Sequence, residues 1–390
     1  MHAVVTPPST WVEMSALPGA KHGTIFGLAV NPTNTTQLIA GDSLGSIYSS
    51  NDAGTSWSTV YAGRSSVLVI AFDPLDHNVV LAGTQGGGAM ISKDAGAHWR
   101  ASTGMEGRSV RALAFAQSLM IAATDGGVYL SADGSAWTAS TLKDVSVDAV
   151  AVEAVNPPVR IVAGGDSASG RVPMWTSTDA GATWNTANPA ISGTIITRLA
   201  TGPLPAGGAV RPLVVGTNTG LFISSDNGTT FKALSGAQLL PSIDYTQVQF
   251  TTSHFDRFYA ASDGGGGGAG GLWATADSGQ HFSSLLPPVS SITALAVSPA
   301  EQPVLYVATF RASDHTAMMW AFHDTGGTPQ GPFGTPTPAA TAARTNPPAT
   351  TFGDMLRSLA SSQVPYIALG VIALAVILLA AVSQFRSRRR

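Results

Sequence analysis

Arg64, Arg108, Arg111 and Arg198, with His22, Glu106, Asp148, Asp244 and Tyr245, sit in or at the edges of the short segments that lead into apolar runs, in a chain of which only 11% is charged. A guanidinium presents paired N–H donors in a plane that matches a carboxylate, so arginines gathered from separate segments are suited to hold an anion. Tyr245 beside Asp244 is the one candidate nucleophile, but no Glu stands near it; the chain has four, Glu13, Glu106, Glu153 and Glu301. Lys21, Asp144, Asp42, Asp125, Asp166 with Arg171, Asp263, Arg311, Asp314 and His315 fall in segments of the same kind. No metal chemistry is indicated, because His315 and His323 flank a strand without the acidic context of a zinc site and no H-E-x-x-H occurs. The run Gly264 to Gly268 with Gly270 and Gly271 lacks the Lys and Ser/Thr of a phosphate loop and reads as a flexible hairpin loop. No cofactor and no catalytic residue is assigned.

The elements that must position these residues show themselves through a repeated frame. Ser50, Asp52, Gly54 and Trp57 recur as Ser92, Asp94, Gly96 and Trp99; as Ser177, Asp179, Gly181 and Trp184; as Ser224, Asp226, Gly228 and Phe231; and as Thr275, Asp277, Gly279 and Phe282. A shortened copy has Ser131, Asp133, Gly134 and Trp137. The spacing of about 40 to 50 residues is that of one four-stranded propeller blade. An Asp after a strand can accept bonds from the amides of the following turn, the Gly supplies a positive φ, and the aromatic packs beneath. These aspartates therefore read as structural. No alternating oxygen ligands follow them, which excludes a calcium loop.

Apolar runs at 25–30, 67–72, 110–115, 147–152 and 292–297 precede second runs at 37–40, 79–82 and 119–122, and read as the inner strands of each blade. Ala29, Ala71, Ala114, Ala151, Ala200 and Ala296 recur in the first of them, which suits strands crowded round a narrow axis, and Gln249 stands in the sixth. After the last motif only three strands remain, with Asp324 and Gly326 as a worn seventh motif. The missing strand is read at residues 9–14, around Trp11, so the spacing predicts an all-β seven-bladed propeller over 9–326 whose last blade is closed by the N-terminal strand.

The S-x-D-x-G-x-x-W frame resembles the Asp-box, or BNR, repeat of sialidase-type β-propellers, over residues 11–324. That resemblance implies that the motif lies on the turn between the third and outermost strands, away from the ligand face. It also raises an enzyme reading, since sialidases use a Tyr–Glu nucleophile, an Asp acid/base and three Arg on a carboxylate. The F/Y-R-I-P motif carrying the first of those Arg is missing; Val159-Arg160-Ile161-Val162 is mid-chain and lacks the Pro. The single-propeller architecture is more similar to assembly-factor propellers such as those aiding photosystem II assembly, which bind partner proteins and carry an Arg patch.

Composition bounds the rest. A net charge of −3 and no basic stripe argue against nucleic acid, and the absence of Cys excludes disulfides and thiolate metal sites. Beyond 326 a Thr/Pro/Gly/Ala-rich linker at 327–352 reads as an extended stalk, followed by a juxtamembrane segment at 353–364. Residues 365–385 approach the ~20 needed to cross a bilayer, with a basic tail at 386–390. The positive-inside rule puts that tail in the cytoplasm and the propeller outside. The first eight residues carry neither a basic nor an apolar signal region, so a tail-anchored cytosolic propeller is the alternative. The expected protein is a single-pass membrane-anchored, non-catalytic propeller that binds a protein or glycan through the loops leading into each innermost strand. The alternative is a divergent exo-glycosidase.

Overall fold

The computed structural model describes residues 10–19, 23–154, 158–167, 171–187, 189–265, 270–311 and 313–325. His22, the linker 327–352, the segment 353–364, the apolar run 365–385 and the basic tail 386–390 lie outside the described residues. Among the described residues no helix is long and apolar enough to cross a membrane.

The strands form seven four-stranded antiparallel sheets. Their first strands are Ile25–Val30, Val67–Phe72, Val110–Ala116, Ala149–Ala154, Ile196–Thr201, Gln247–Phe250 and Ile292–Val297, opening blades one to seven. Each of these packs against the first strands of both neighbouring blades, so together they ring an axis. The protein is an all-β seven-bladed propeller.

Crowding between blades explains much of the small-residue pattern. A β-carbon at Gly41, on the second strand of blade one, would lie 2.4 Å from Val67 Cγ1 of blade two. One at Gly83 would lie 2.6 Å from the Val110 carbonyl of blade three. The glycines thus make room for the first residue of the next blade. Val67, Val110, Val147, Ile196 and Ile292 are fully buried there, each contributing about 1.5–3 kcal/mol of apolar transfer.

Closure is the work of one short segment. Trp11–Glu13 pairs antiparallel with Thr316–His323, in the register Trp11 to Phe322, Val12 to Ala321 and Glu13 to Trp320. The Trp11 ring lies 4.9 Å from Phe322, and its indole N–H donates to the Leu285 carbonyl of blade six at 2.8 Å. Continuing inward, Met14 N–H donates to Met319 O at 2.9 Å and Ser15 N–H to Gly54 O of blade one at 3.1 Å. Residues 11–15 therefore tie blades six, seven and one together.

The repeated frame forms the turn between the third and fourth strands. In blade one the Ser50 hydroxyl donates to Asp52 Oδ1 at 2.8 Å and accepts from Gly54 N–H at 2.8 Å, while Asp52 accepts from the amide and hydroxyl of Ser56. The same bonds recur around Asp94, Asp179, Asp226 and Asp277, and the shortened Asp133 turn keeps those to the Gly134 and Ser135 amides. The glycine has positive φ as expected, and so does the residue before it: Ala53, Ala95, Ala180, Asn227 and Ser278 lie between φ 55° and 59°. That non-glycine strain, ~1–2 kcal/mol each, is held by the hydroxyl and carboxylate on either side. Trp99, Trp137 and Trp184 donate their indole N–H to the carbonyl of their own turn's glycine. In blade one Ser15 takes the Gly54 carbonyl instead, and Trp57 Nε1 is left buried without a partner.

The aspartate of the worn seventh motif has a second set of partners: Asp324 is buried and accepts from Arg257 Nη2 at 2.7 Å and from the Tyr259 hydroxyl at 2.5 Å, both of blade six. With Gly326 outside the described residues, Asp324 serves as an inter-blade ion-pair partner.

Two outcomes follow from this construction. Removing residues 1–15 opens the edge of blade seven and strips Trp11 and Met14 from their packing, which we expect to cost at least ~3 kcal/mol and to promote aggregation; an unchanged melting temperature would refute the closure. The second concerns acid. The backbone N–H of His98 holds Asp94 down to about 2, and that of Ser135 does the same for Asp133. The hydroxyls of Thr183 and Thr230 hold Asp179 and Asp226 down to about 2. Ser56 lowers Asp52, and at Asp277 burial acts upward but the bonds from His281 and Thr275 outweigh it. Folded values below the unfolded ~3.9 give stability that is present above pH ~4 and lost as pH falls towards 2. Burial raises Asp148, Glu153, Asp244 and Asp256, whose ionisation penalty fades as pH falls from neutrality. The melting temperature should therefore hold or rise slightly from pH 7 to about 5 and drop below about 4. A steady decline beginning at neutrality in calorimetry would contradict this balance.

Candidate functional site

The second residue of each aligned inner strand surrounds the mouth of the axis. In five blades it sits at a register shift between the first and second strands: Phe26, Leu68, Arg111, Thr197 and Thr293. A bulge there re-aims one side chain out of the ladder. Asp148 and Thr246 hold the same place just before the paired strands of blades four and six. All seven line one cavity of about 520 Å³ on the face of the lead-in loops. Blades one and two give it an apolar side, Phe26 and Leu68, with Phe26 37% exposed; blades three to seven give it a polar one.

The four arginines have separate fates. Arg111 Nη1 donates to Ser146 Oγ at 2.6 Å and forms an ion pair with Asp148. Asp148 is held above the usual carboxylate range by burial and by Asp166, with Arg111 opposing, and its Oδ2 is buried without a partner. Arg108 lies loosely against Asp125, at 3.9 Å. Arg64 is exposed and has no ion pair among the described residues. Arg198 lines both the mouth and a narrower cavity beneath it.

Several candidates are structural. Tyr245 does not reach the face: it is fully buried between blades five and six, in the place where other blades carry Ile25, Val67, Val110, Val147, Ile196 or Ile292. Its hydroxyl donates to Leu240 O at 2.6 Å, and burial pushes its pKa up, so it cannot act as a nucleophile near neutral pH. Glu106 folds back on its own loop, accepting from Gly104 N–H at 2.9 Å, and that bond lowers its pKa. Asp42, fully buried, accepts from the Leu44 and Ser46 amides and the Tyr48 hydroxyl. Arg311 is spent on Asp314. Asp244 is raised by burial and then by Asp263, and its Oδ1 is buried and unpartnered. Among the described residues no three His, Asp or Glu side chains gather as metal ligands.

Sequence reasoning found Arg111, Asp148, Arg198 and Asp263 but missed Phe26, Leu68, Thr197, Thr246 and Thr293. The missing signal was position within the strand, legible once the seven inner strands are aligned on their buried first residue. Tyr245→Phe should leave surface binding intact and lower stability by about 1 kcal/mol, the worth of one hydrogen bond; a wild-type-like melt combined with lost binding would return Tyr245 to the site.

No protein-family model matches the chain, and no curated protein sequence does. Among solved structures, a YCF48 protein bound to a D1 peptide superposes with a TM-score of 0.56 at 16% identity, covering 84% of this chain and 98% of that one. YCF48 from Cyanidioschyzon merolae gives 0.54 at 12%, covering 80% and 98%. An ancestral GH74 enzyme gives 0.51 at 15%, covering 79% of this chain but only 56% of its own, so this chain spans little more than half of that enzyme. A chain of a mitotic checkpoint complex gives 0.56 at 13%, covering 83% and 96%. At these identities the likeness is one of fold.

Proposed function

We propose that this chain is a membrane-anchored, non-catalytic Asp-box propeller that captures a protein ligand at its lead-in loop face. The observation that carries this reading is the 520 Å³ mouth, half apolar and half polar, with two polar atoms on its wall or rim left unpartnered, Asp148 Oδ2 and Thr246 Oγ1. A concave surface of mixed character with unspent hydrogen-bonding groups fits an extended peptide segment better than a flat partner. The similar YCF48 structure, which is bound to a D1 peptide and is covered over 98% of its length, supports a protein ligand over a glycan. The enzyme alternative is weakened by Tyr245, whose hydroxyl is committed to Leu240 O inside the core. Membrane attachment rests on sequence, through the apolar run at 365–385 and the four arginines after it.

The test is site-specific photo-crosslinking in cells. Probes at Leu44 and Arg64 report the lead-in face, and probes at Leu75 and Leu204, exposed in loops between first and second strands, report the opposite face. One recurrent protein adduct from the first pair and none from the second is expected, in the membrane fraction, with no turnover of aryl-glycosides. Adducts confined to the second pair would refute the binding face. Glycoside turnover would restore the enzyme reading, and full extraction of the chain by salt alone would remove the membrane anchor.

A further inference from the structure

Three residues break the rings of small and aliphatic side chains that line the axis, on adjacent blades: Arg198 of blade five, and Gln247 and Gln249 of blade six, with Gln247 Nε2 already donating to Thr293 O at 3.3 Å. Two positions below each buried first residue stand Gly27, Val69, Ala112, Ala149, Gln247 and Ala294, and in blade five Arg198. Two positions further down, six blades carry Ala and blade six carries Gln249. Arg198 and Gln249 line the same cavity of about 290 Å³ beneath the mouth, whose other walls are aliphatic, among them Leu28, Val69, Leu113 and Ala296. Arg198 belongs to the mouth as well, so it stands where the two cavities meet.

Neither Arg198 nor Gln249 is spent. Arg111, Arg160 and Arg257, on strands of other blades, are paired with Asp148, Glu153 and Asp324. Arg198 has no ion pair and no side-chain hydrogen bond among the described residues, its open surface faces the cavity, and burial alone lowers its pKa. Gln249 Oε1 accepts from Val297 N–H at 3.0 Å, which fixes which end of the amide is oxygen and leaves its NH2 group without an acceptor among the described residues. An uncompensated cation between aliphatic walls is costly unless something answers it.

We propose that this axial cavity is a carboxylate site, with Arg198 donating two parallel N–H bonds, the Gln249 NH2 group a third, and the aliphatic walls taking the attached alkyl group. One positive charge matches one carboxylate, whereas a phosphate dianion would leave a net negative charge among aliphatic side chains. The carboxylate can arrive as a short free acid or as the end of a chain docked in the mouth; the second source rests on the reading of the lead-in face given above, and the first does not.

The experiment uses the full chain in mild detergent, following melting temperature and calorimetric binding. The probes are butyrate, phosphate and chloride at equal ionic strength, and acetyl-Ala-Ala-Val with a free or an amidated C-terminus. Saturable stabilisation by a carboxylate is expected, with phosphate no better than chloride. Arg198→Met should abolish that response while raising the melting temperature of the unliganded protein, and Arg198→Lys should weaken binding by about tenfold or more. Gln249→Glu supplies an internal carboxylate, so it should raise the melting temperature and block the probes. Binding of butyrate assigns the small acid, and binding of the free-terminus peptide at least ~10-fold tighter than its amide and than butyrate assigns the chain end. No carboxylate response in the wild type, or an equal response in Arg198→Met, overturns the site. Because these readouts need no partner, they stand or fall apart from the crosslinking result.

Discussion

Every blade of this protein must bring its first strand to one axis, and that crowding governs what each position along the strand can be. The buried first residue enters space left by a glycine or alanine of the preceding blade, as Val67 does over Gly41 and Val110 over Gly83. The second residue is turned out of the ladder towards the mouth, and the fifth is held to alanine in six blades of seven. Departures from the column are therefore informative. Phe26 and Leu68 make one side of the mouth apolar, and Arg198 and Gln249 put hydrogen-bond donors where packing alone calls for small side chains.

The turns on the opposite face answer a different demand. Each must reverse the chain tightly enough for a fourth strand that is in places only two residues long, as at Arg100–Ala101 and Lys232–Ala233. So short a strand supplies little ladder energy, and the turn is held instead by the hydroxyl, the carboxylate and the indole closing on its amides and carbonyls. Positive φ at consecutive residues is tolerated because these bonds over-determine the loop. The polar residues of the frame are consumed by folding.

The frame's period made the blade count legible, and the lone Trp11 without a motif before it marked the closing strand. Legibility failed where a side chain's partner is remote in sequence. The pairing of Asp324 with Arg257 and Tyr259 could not be read because they lie 67 and 65 residues away. Tyr245 looked reactive beside Asp244 because an aromatic at a loop edge gives no sign of which way it faces. Only its alignment with Ile25, Val67 and Ile196 shows that it enters the core. Arg111 and Asp148, on neighbouring blades, meet because each is the second residue of its strand, a relation that spacing of 37 residues does not reveal.

Arg198 then poses a question of economy within the fold. Arg111 and Arg257 show that this propeller encloses a guanidinium beside a carboxylate drawn from the adjoining blade. Among the described residues no such carboxylate faces Arg198, although an acidic residue at the alanine-like positions of blades four or six would have supplied one, and the sixth blade carries the uncharged isostere Gln249 instead. A neutral amide anchored by Val297 leaves the cation's field unquenched while offering a further donor beside it. An internal partner would stabilise the chain and close the cavity to anions; the arrangement found forgoes that stability and keeps the site open to a charge from outside.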